Sequence, residues 1–222
     1  RMVIEGTLRG VGEEAALIAA IVSERGLGGD APDLMHRLDD LRRDRSRRAQ
    51  EARRLAERWA READGLTAQV QITGPQPSYA VLLALAFPDR VARGRGDGRR
   101  FVLANGRGAA LDPASPLARA RYLAVAELTG TADEARILLA AELAEAEIEA
   151  EFGAAITEGV ETGFDAASGT LRARHVRRLG SLVLTERTAA LKPGPETARA
   201  LARAAAARGL ERLSWSDHQR QW

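Results

Sequence analysis

Cysteine is absent from the 222 residues, which excludes disulfides, thiolate metal sites and a cysteine nucleophile. Lysine is nearly absent too: Lys192 is the single one, and arginine supplies the rest of the 33 basic residues. Aromatics make up only 4%, so a core must be built from Leu, Ala, Val and Ile. No run approaches the ~20 apolar residues that a bilayer span needs, and no signal-peptide pattern opens the chain. These absences lead us to expect a soluble, cytoplasmic chain with no membrane partner. The chain opens on Arg1 rather than Met, as expected of a piece of something longer.

What is present is globular. Hydrophobic residues reach 45% and charged residues 29%. That is enough for one large core or two modest ones. The formal net charge of +2 predicts no polyanion partner by itself. Its distribution says more. Asp89 to Arg121 holds eight arginines against three aspartates, and Leu123 to Ser168 holds one arginine against eleven acids. Segregated charge bears on partners.

The apolar pattern orders the elements. "EEAALIAAIVSER" (13–25) shows a helical face, stopped by Gly26, Gly28 and Gly29. Asp30 or Asp33 caps a second helical stretch with Pro32 near its first turn. Leu34, Leu38, Leu41, Leu55 and Trp59 continue at helical spacing, and Gly65 ends the run. The polar "RRDRSRRAQEARR" between them is either a solvated middle or a break. After a linker over 66–77, Ser78 caps an apolar helix, "SYAVLLALAFPDRVA", with Leu82, Leu83 and Phe87 expected inside and Pro88 ending or kinking it.

Beyond Val91 the period changes. "RRFVLANGRGAALDP" predicts strand, turn, strand, because Asn105-Gly106 is a strong hairpin signal. Residues 120–128 and 135–143 read as a strand pair, and 144–153 as a short acidic helix. Strand, turn, strand, a break at Gly180 and another strand follow. An alanine-rich helix runs to Gly209, and a last helix starts near Ser214 or Ser216. Short strands interrupted by a helix predict an α+β chain: a helical bundle, a small OB-like barrel and a C-terminal helical segment.

Each chemical motif can be tested against its requirements. "GRGDGRR" (94–100) has no lysine and no following hydroxyl, so it is no P-loop, and its glycine spacing misses the dinucleotide fingerprint. His36, His175 and His218 lack metal-ligand spacing. No serine sits in a Gly-x-Ser-x-Gly elbow. The carboxylates of "ELAEAEIEAE" have no evident opposing wall for acid-base work. We expect no catalytic residue, metal or cofactor in this chain.

Arginines remain as candidates. Arg93, Arg95, Arg99, Arg100 and Arg107 bracket one hairpin. Arg172, Arg174, Arg177 and Arg178 crowd one strand, where Arg172 and Arg174 alternate onto one face. Such faces suit a phosphate backbone. The competing reading is a solvated surface balanced by the acidic helix. Stacking platforms are scarce, with only Phe101, Tyr122 and Phe164 nearby, and Phe101 and Tyr122 fit a core.

The block "LLALAFPDRVA…RRFVLANGRGAALDPASPLARARYLAVAEL" (82–128) resembles the region after the motor in bacterial HrpB-type helicases of the DEAH/RHA superfamily. "RLGSLVLTER", "GLERLSWSDHQRQ" and residues 1–25 resemble other blocks of that family, so the likeness covers nearly the whole chain. It implies a ratchet-like helical bundle over 1–90, an OB-like barrel over 91–190 and the start of a family-specific region over 191–222. It also implies partners: single-stranded RNA or DNA, and RecA-like motor domains that hold ATP and Mg. The parent would be the hydrolase and this chain an accessory fragment. The alternatives are a protein-docking module without nucleic-acid affinity and, less supported by the residues, a small stand-alone enzyme.

Overall fold

The computed structural model describes residues 1–68, 75–130, 135–165, 168 and 170–208. The helix expected from Ser214 or Ser216, His218, and parts of the 66–77 linker and of the turns at 129–134 and 165–169 lie outside them. The described residues form two compact units, one within 1–155 with 180–182 and the other within 156–179 with 183–208. No helix among the described residues is long and apolar enough to cross a membrane.

The first unit begins with helices α1 (Met2–Leu8), α2 (Gly12–Ser23), α3 (Leu34–Arg43), α4 (Arg47–Thr67) and α5 (Tyr79–Ala86). The polar middle of the second helical stretch is a break. Asp44 accepts from the Ser46 amide at 2.7 Å, and Ser46 Oγ then caps α4 by accepting from Ala49 N at 3.2 Å. Asp33, not Asp30, caps α3 through the Met35 amide at 2.9 Å. Pro32 lies outside that helix, and its carbonyl accepts from Ala140 N at 2.8 Å.

Two expectations about α4 are corrected. Its buried seam is Ala49, Ala52, Ala56, Ala60 and Ala63, at helical spacing, while Leu55 and Trp59 are only half-buried. Small side chains let α1 and α2 approach closely there. Gly65 does not stop the helix, which runs on to Thr67, where the hydroxyl donates to Ala63 O at 2.9 Å.

Helix α5 is buried from Ala80 through Leu85. Ser78 caps it through Val81 N at 3.2 Å. It packs on α1 and α2 on one side and on the barrel on the other, which is why it is apolar all round. Phe87 is half-buried rather than buried, and the Arg90 guanidinium lies 4.6 Å from its ring centroid. Pro88 opens a 3-10 turn, which ends α5.

The barrel strands are β1 (Val91–Gly94), β2 (Arg100–Leu103), β3 (Gly108–Ala110), β4 (Tyr122–Thr129) and β5 (Ala135–Glu142). They close in the order β1-β2-β3-β5-β4, with β4 returning to β1. β3 and β5 are parallel and the other pairs antiparallel. Closure leaves no free sheet edge. Phe101, Leu103, Leu111, Leu123, Val125 and Ile137 fill the interior.

Asn105-Gly106 makes the β2-β3 turn as read: Gly106 N donates to Leu103 O at 2.8 Å and Leu103 N to Arg107 O at 2.9 Å. β1 has no signal of its own in the sequence; it follows the Pro88–Arg90 turn at once and is only four residues long. The helix that interrupts the barrel strands is a 3-10 turn at Pro116–Arg119. The acidic helix α6 (Glu145–Phe152) follows the last barrel strand instead.

The range 91–190 therefore holds two sheets. The second unit carries β6 (Ile156–Asp165), β7 (Thr170–Leu179), most of β8 (Leu182–Ala189) and α7 (Pro195–Arg208). The order is β6-β7-β8, and β6 pairs with β7 antiparallel without a break in register from Ile156↔Leu179 to Asp165↔Thr170. α7 packs against β6 and β7.

Candidate nucleic-acid interface

The barrel presents an open groove of about 1290 Å³ on its β2-β3 face. Its floor is β3, where Gly108, Ala109 and Ala110 carry almost no side chain. A Cβ built on Gly108 would meet nothing within 4 Å, so the floor is accessible. One wall is the β1-β2 loop with Arg95, Asp97 and Arg99, continued by Arg100; the other is the start of β5 with Arg136. Strands β2 and β3 with the adjoining loops are the face on which OB barrels hold oligomeric ligands.

Four guanidinium groups and two carboxylates, Asp97 and Asp112, line this groove, so it is net basic. The ion pairs are unequal. Arg100 pairs closely with Asp97 through Nε. Arg136 stands 4.0 Å from Asp112 with both side chains exposed. Arg95 and Arg99 are exposed and show no acidic partner among the described residues. Exposed guanidinium groups without acidic partners can donate to phosphate oxygens at little desolvation cost.

Stacking is not provided. Phe101 touches the groove but is 1% exposed, because its ring fills the barrel. Tyr122 is likewise 1% exposed. Burial raises its hydroxyl pKa, and the nearby Glu145 carboxylate adds to that. The groove therefore favours a charged backbone over base faces.

The structure divides the nine arginines singled out from sequence. Arg95, Arg99 and Arg100 come together on the groove. Arg93 is half-buried on β1 and Arg107 is exposed at the β2-β3 turn; neither lines the groove. The β7 group is different again. Arg172 bonds Asp165 at 2.9 Å, Arg174 bonds Glu186 at 2.8 Å, and Arg177 lies 3.9 Å from Glu158. Arg178 grips Glu161 with both ends of its fork, at 2.7 and 2.8 Å. That hydrogen bonding lowers the Glu161 pKa and raises that of Arg178. Arg172 and Arg174 do share a face, as alternation requires, but β6 and β8 supply carboxylates to it.

Sequence reasoning missed Arg136. It is the lone arginine in an acidic stretch, and only the parallel β3-β5 pairing, Ala110↔Arg136, brings it to the groove. The acidic helix is also partly neutralised within the first unit. Glu151 accepts from Arg9 at 2.5 and 2.9 Å, and Glu145 from Arg121 at 2.5 Å. Of the histidines, His36 is exposed on α3, and His175 sits 3.1 Å from Glu158. Among the described residues no cluster of three or more His, Asp or Glu side chains is placed to hold a metal.

Strand order and closure place the barrel in the OB class. The relatives narrow this further. The chain is 32% identical over 168 residues to the ATP-dependent RNA helicase HrpB of Escherichia coli K12, a match over 73% of this chain and 21% of the helicase. A crystal structure of the E. coli DExH-box NTPase HrpB matches 97% of this chain and 26% of its own, with 28% identity and a TM-score of 0.64. A second, of the E. coli DEAH/RHA helicase HrpB, matches 95% and 25%, with 26% identity and a TM-score of 0.61. No family model matches the chain. The chain is homologous to one segment of the HrpB helicases and spans about a fifth of the length of that curated relative.

Proposed function

We propose that this chain is the accessory region of an ATP-dependent RNA helicase and that its barrel binds single-stranded nucleic acid. The observation that carries this is the basic groove on the β2-β3 face, with Arg95 and Arg99 free of acidic partners among the described residues. The homology to HrpB supplies the context. The strand would lie along β3, with phosphates toward Arg95, Arg99 and Arg136 and with bases left outward for want of a platform. Such binding is set by charge and is indifferent to sequence. ATP and Mg would sit in RecA-like motor domains, which this segment would adjoin, and hydrolysis would be theirs.

The test is fluorescence anisotropy of the chain with a labelled single-stranded RNA across a salt series. Micromolar binding with log Kd linear in log salt is expected, since released counterions set the slope. Absence of binding at low salt would select the docking reading, in which barrel and bundle hold protein alone. The paired arginines of β7 suit that role for the second unit, because their charge is already matched.

A further inference from the structure

The loop from β1 to β2 reads Arg95-Gly96-Asp97-Gly98-Arg99-Arg100. Gly96 and Gly98 have φ of +83° and +66°, and a Cβ on either would meet nothing within 4 Å. Backbone conformation, not space, selects glycine at both. The curl they create turns two amides onto one carboxylate. Asp97 Oδ1 accepts from Arg99 N at 3.1 Å and Arg100 N at 2.8 Å. Its Oδ2 accepts from Arg100 Nε.

Two backbone N–H groups and a guanidinium converging on one anion form a donor set suited to phosphate. This set lies on the wall of the groove, between the two arginines that show no acidic partner among the described residues. Asp97 is the only carboxylate on the β1-β2 loop, and it fills the position a phosphate would need.

We infer that Asp97 is a built-in occupant of a phosphate subsite in the groove, so that a nucleic-acid phosphate must displace it to reach Arg100 and the two amides. The inference rests on the proposed nucleic-acid reading and adds regulation to it. Arg100 is masked in the free protein. Binding begins on Arg95, Arg99 and Arg136, and full engagement requires the loop to exchange one anion for another.

Asp97→Asn tests this in the whole chain, because the amide oxygen still accepts from Arg99 N and Arg100 N while the charge is gone. The probe is a labelled oligouridylate of about 12 nucleotides, within the span of one OB barrel. Binding about tenfold tighter at low salt is expected, with the log–log salt slope steeper by about 0.7, one more phosphate contact. Arg100→Ala should weaken wild-type binding less than Arg95→Ala does, yet cancel the gain in the Asp97→Asn background, a coupling that a double-mutant cycle isolates. A thermal melt confirms that each variant folds. Equal affinity and slope for wild type and Asp97→Asn would overturn the inference alone. So would an Arg100→Ala loss in the wild type as large as that of Arg95→Ala. If neither wild type nor Asp97→Asn binds RNA at low salt, the inference falls together with the nucleic-acid reading.

Discussion

Arg37 Nη2 donates to the Leu138 carbonyl at 2.7 Å, joining α3 to barrel strand β5 across about a hundred residues of chain. Its Nε donates to the Ala31 carbonyl at 2.6 Å, and Nη1 stands 3.8 Å from Glu127 Oε1. The side chain is buried, and beside it Asp33 bridges in parallel to Ala140. The bundle is thus tied to the barrel by one buried cation that satisfies two main-chain oxygens.

Arg37→Met should be strongly destabilising. It keeps the apolar volume but strips both carbonyls of their donor, and each buried orphan costs about 1–3 kcal/mol. Urea denaturation should show a loss of roughly 3 kcal/mol. A change under 0.5 kcal/mol would mean that the carbonyls find other donors.

Gly28 and Gly26 form a matched pair of probes. Both have positive φ, +72° and +75°. A Cβ on Gly28 would fall 2.2 Å from Arg37 O, whereas one on Gly26 would meet nothing within 4 Å. Ala at position 26 should therefore cost only the left-handed penalty, about 1–2 kcal/mol. Ala at position 28 should cost clearly more and disturb the Arg37 clamp. Equal melting temperatures for the two variants would contradict the packing described for Gly28.

The two arginine groups should differ in solution. Arg95→Ala with Arg99→Ala should weaken RNA binding and flatten the log–log salt slope by about 1.4, two phosphate contacts on a single strand. Arg172→Ala with Arg174→Ala should leave the slope within error, because those groups already face Asp165 and Glu186. The reverse pattern would move the interface to the second unit.

Asp97 should titrate far below its ordinary value of 3.8, at about 2, chiefly because the Arg100 amide bonds its carboxylate and the Arg100 side chain adds to that. A depressed carboxyl pKa means the loop contact is fully present above the ordinary value and is lost as pH falls through about 2. Its side-chain carbon resonance, followed by NMR from pH 6 downward, should show no transition near 3.8. A midpoint there would show that the clasp does not form.

Much of the fold could be read locally. Ser78 marks a helix start and Asn105-Gly106 a hairpin in the sequence itself, whereas Asp30 and Asp33 read alike as the α3 cap and the structure picks Asp33. The elements missed were those without local signal. β1 is too short to show a period. The alanine seam of α4 hides among arginines and glutamates, because alanine at helical spacing looks neutral until a neighbour packs on it. The groove was half legible: glycine and arginine in 94–100 marked the loop, but not which arginines were free.

By itself the sequence determined the kinds of element and their order. Capping residues, turn dipeptides and apolar periods act within a few residues, so they are written in the local chain. It also determined the chemistry available: arginine with a single lysine, no thiol and few aromatics. Tertiary structure alone decided which charges meet. Barrel closure set Arg136 beside Ala110, sheet pairing neutralised Arg172 and Arg174, and burial gave Arg37 two carbonyls from distant segments. Electrostatic pairing depends on distance in space, and the chain brings those partners together only when it folds.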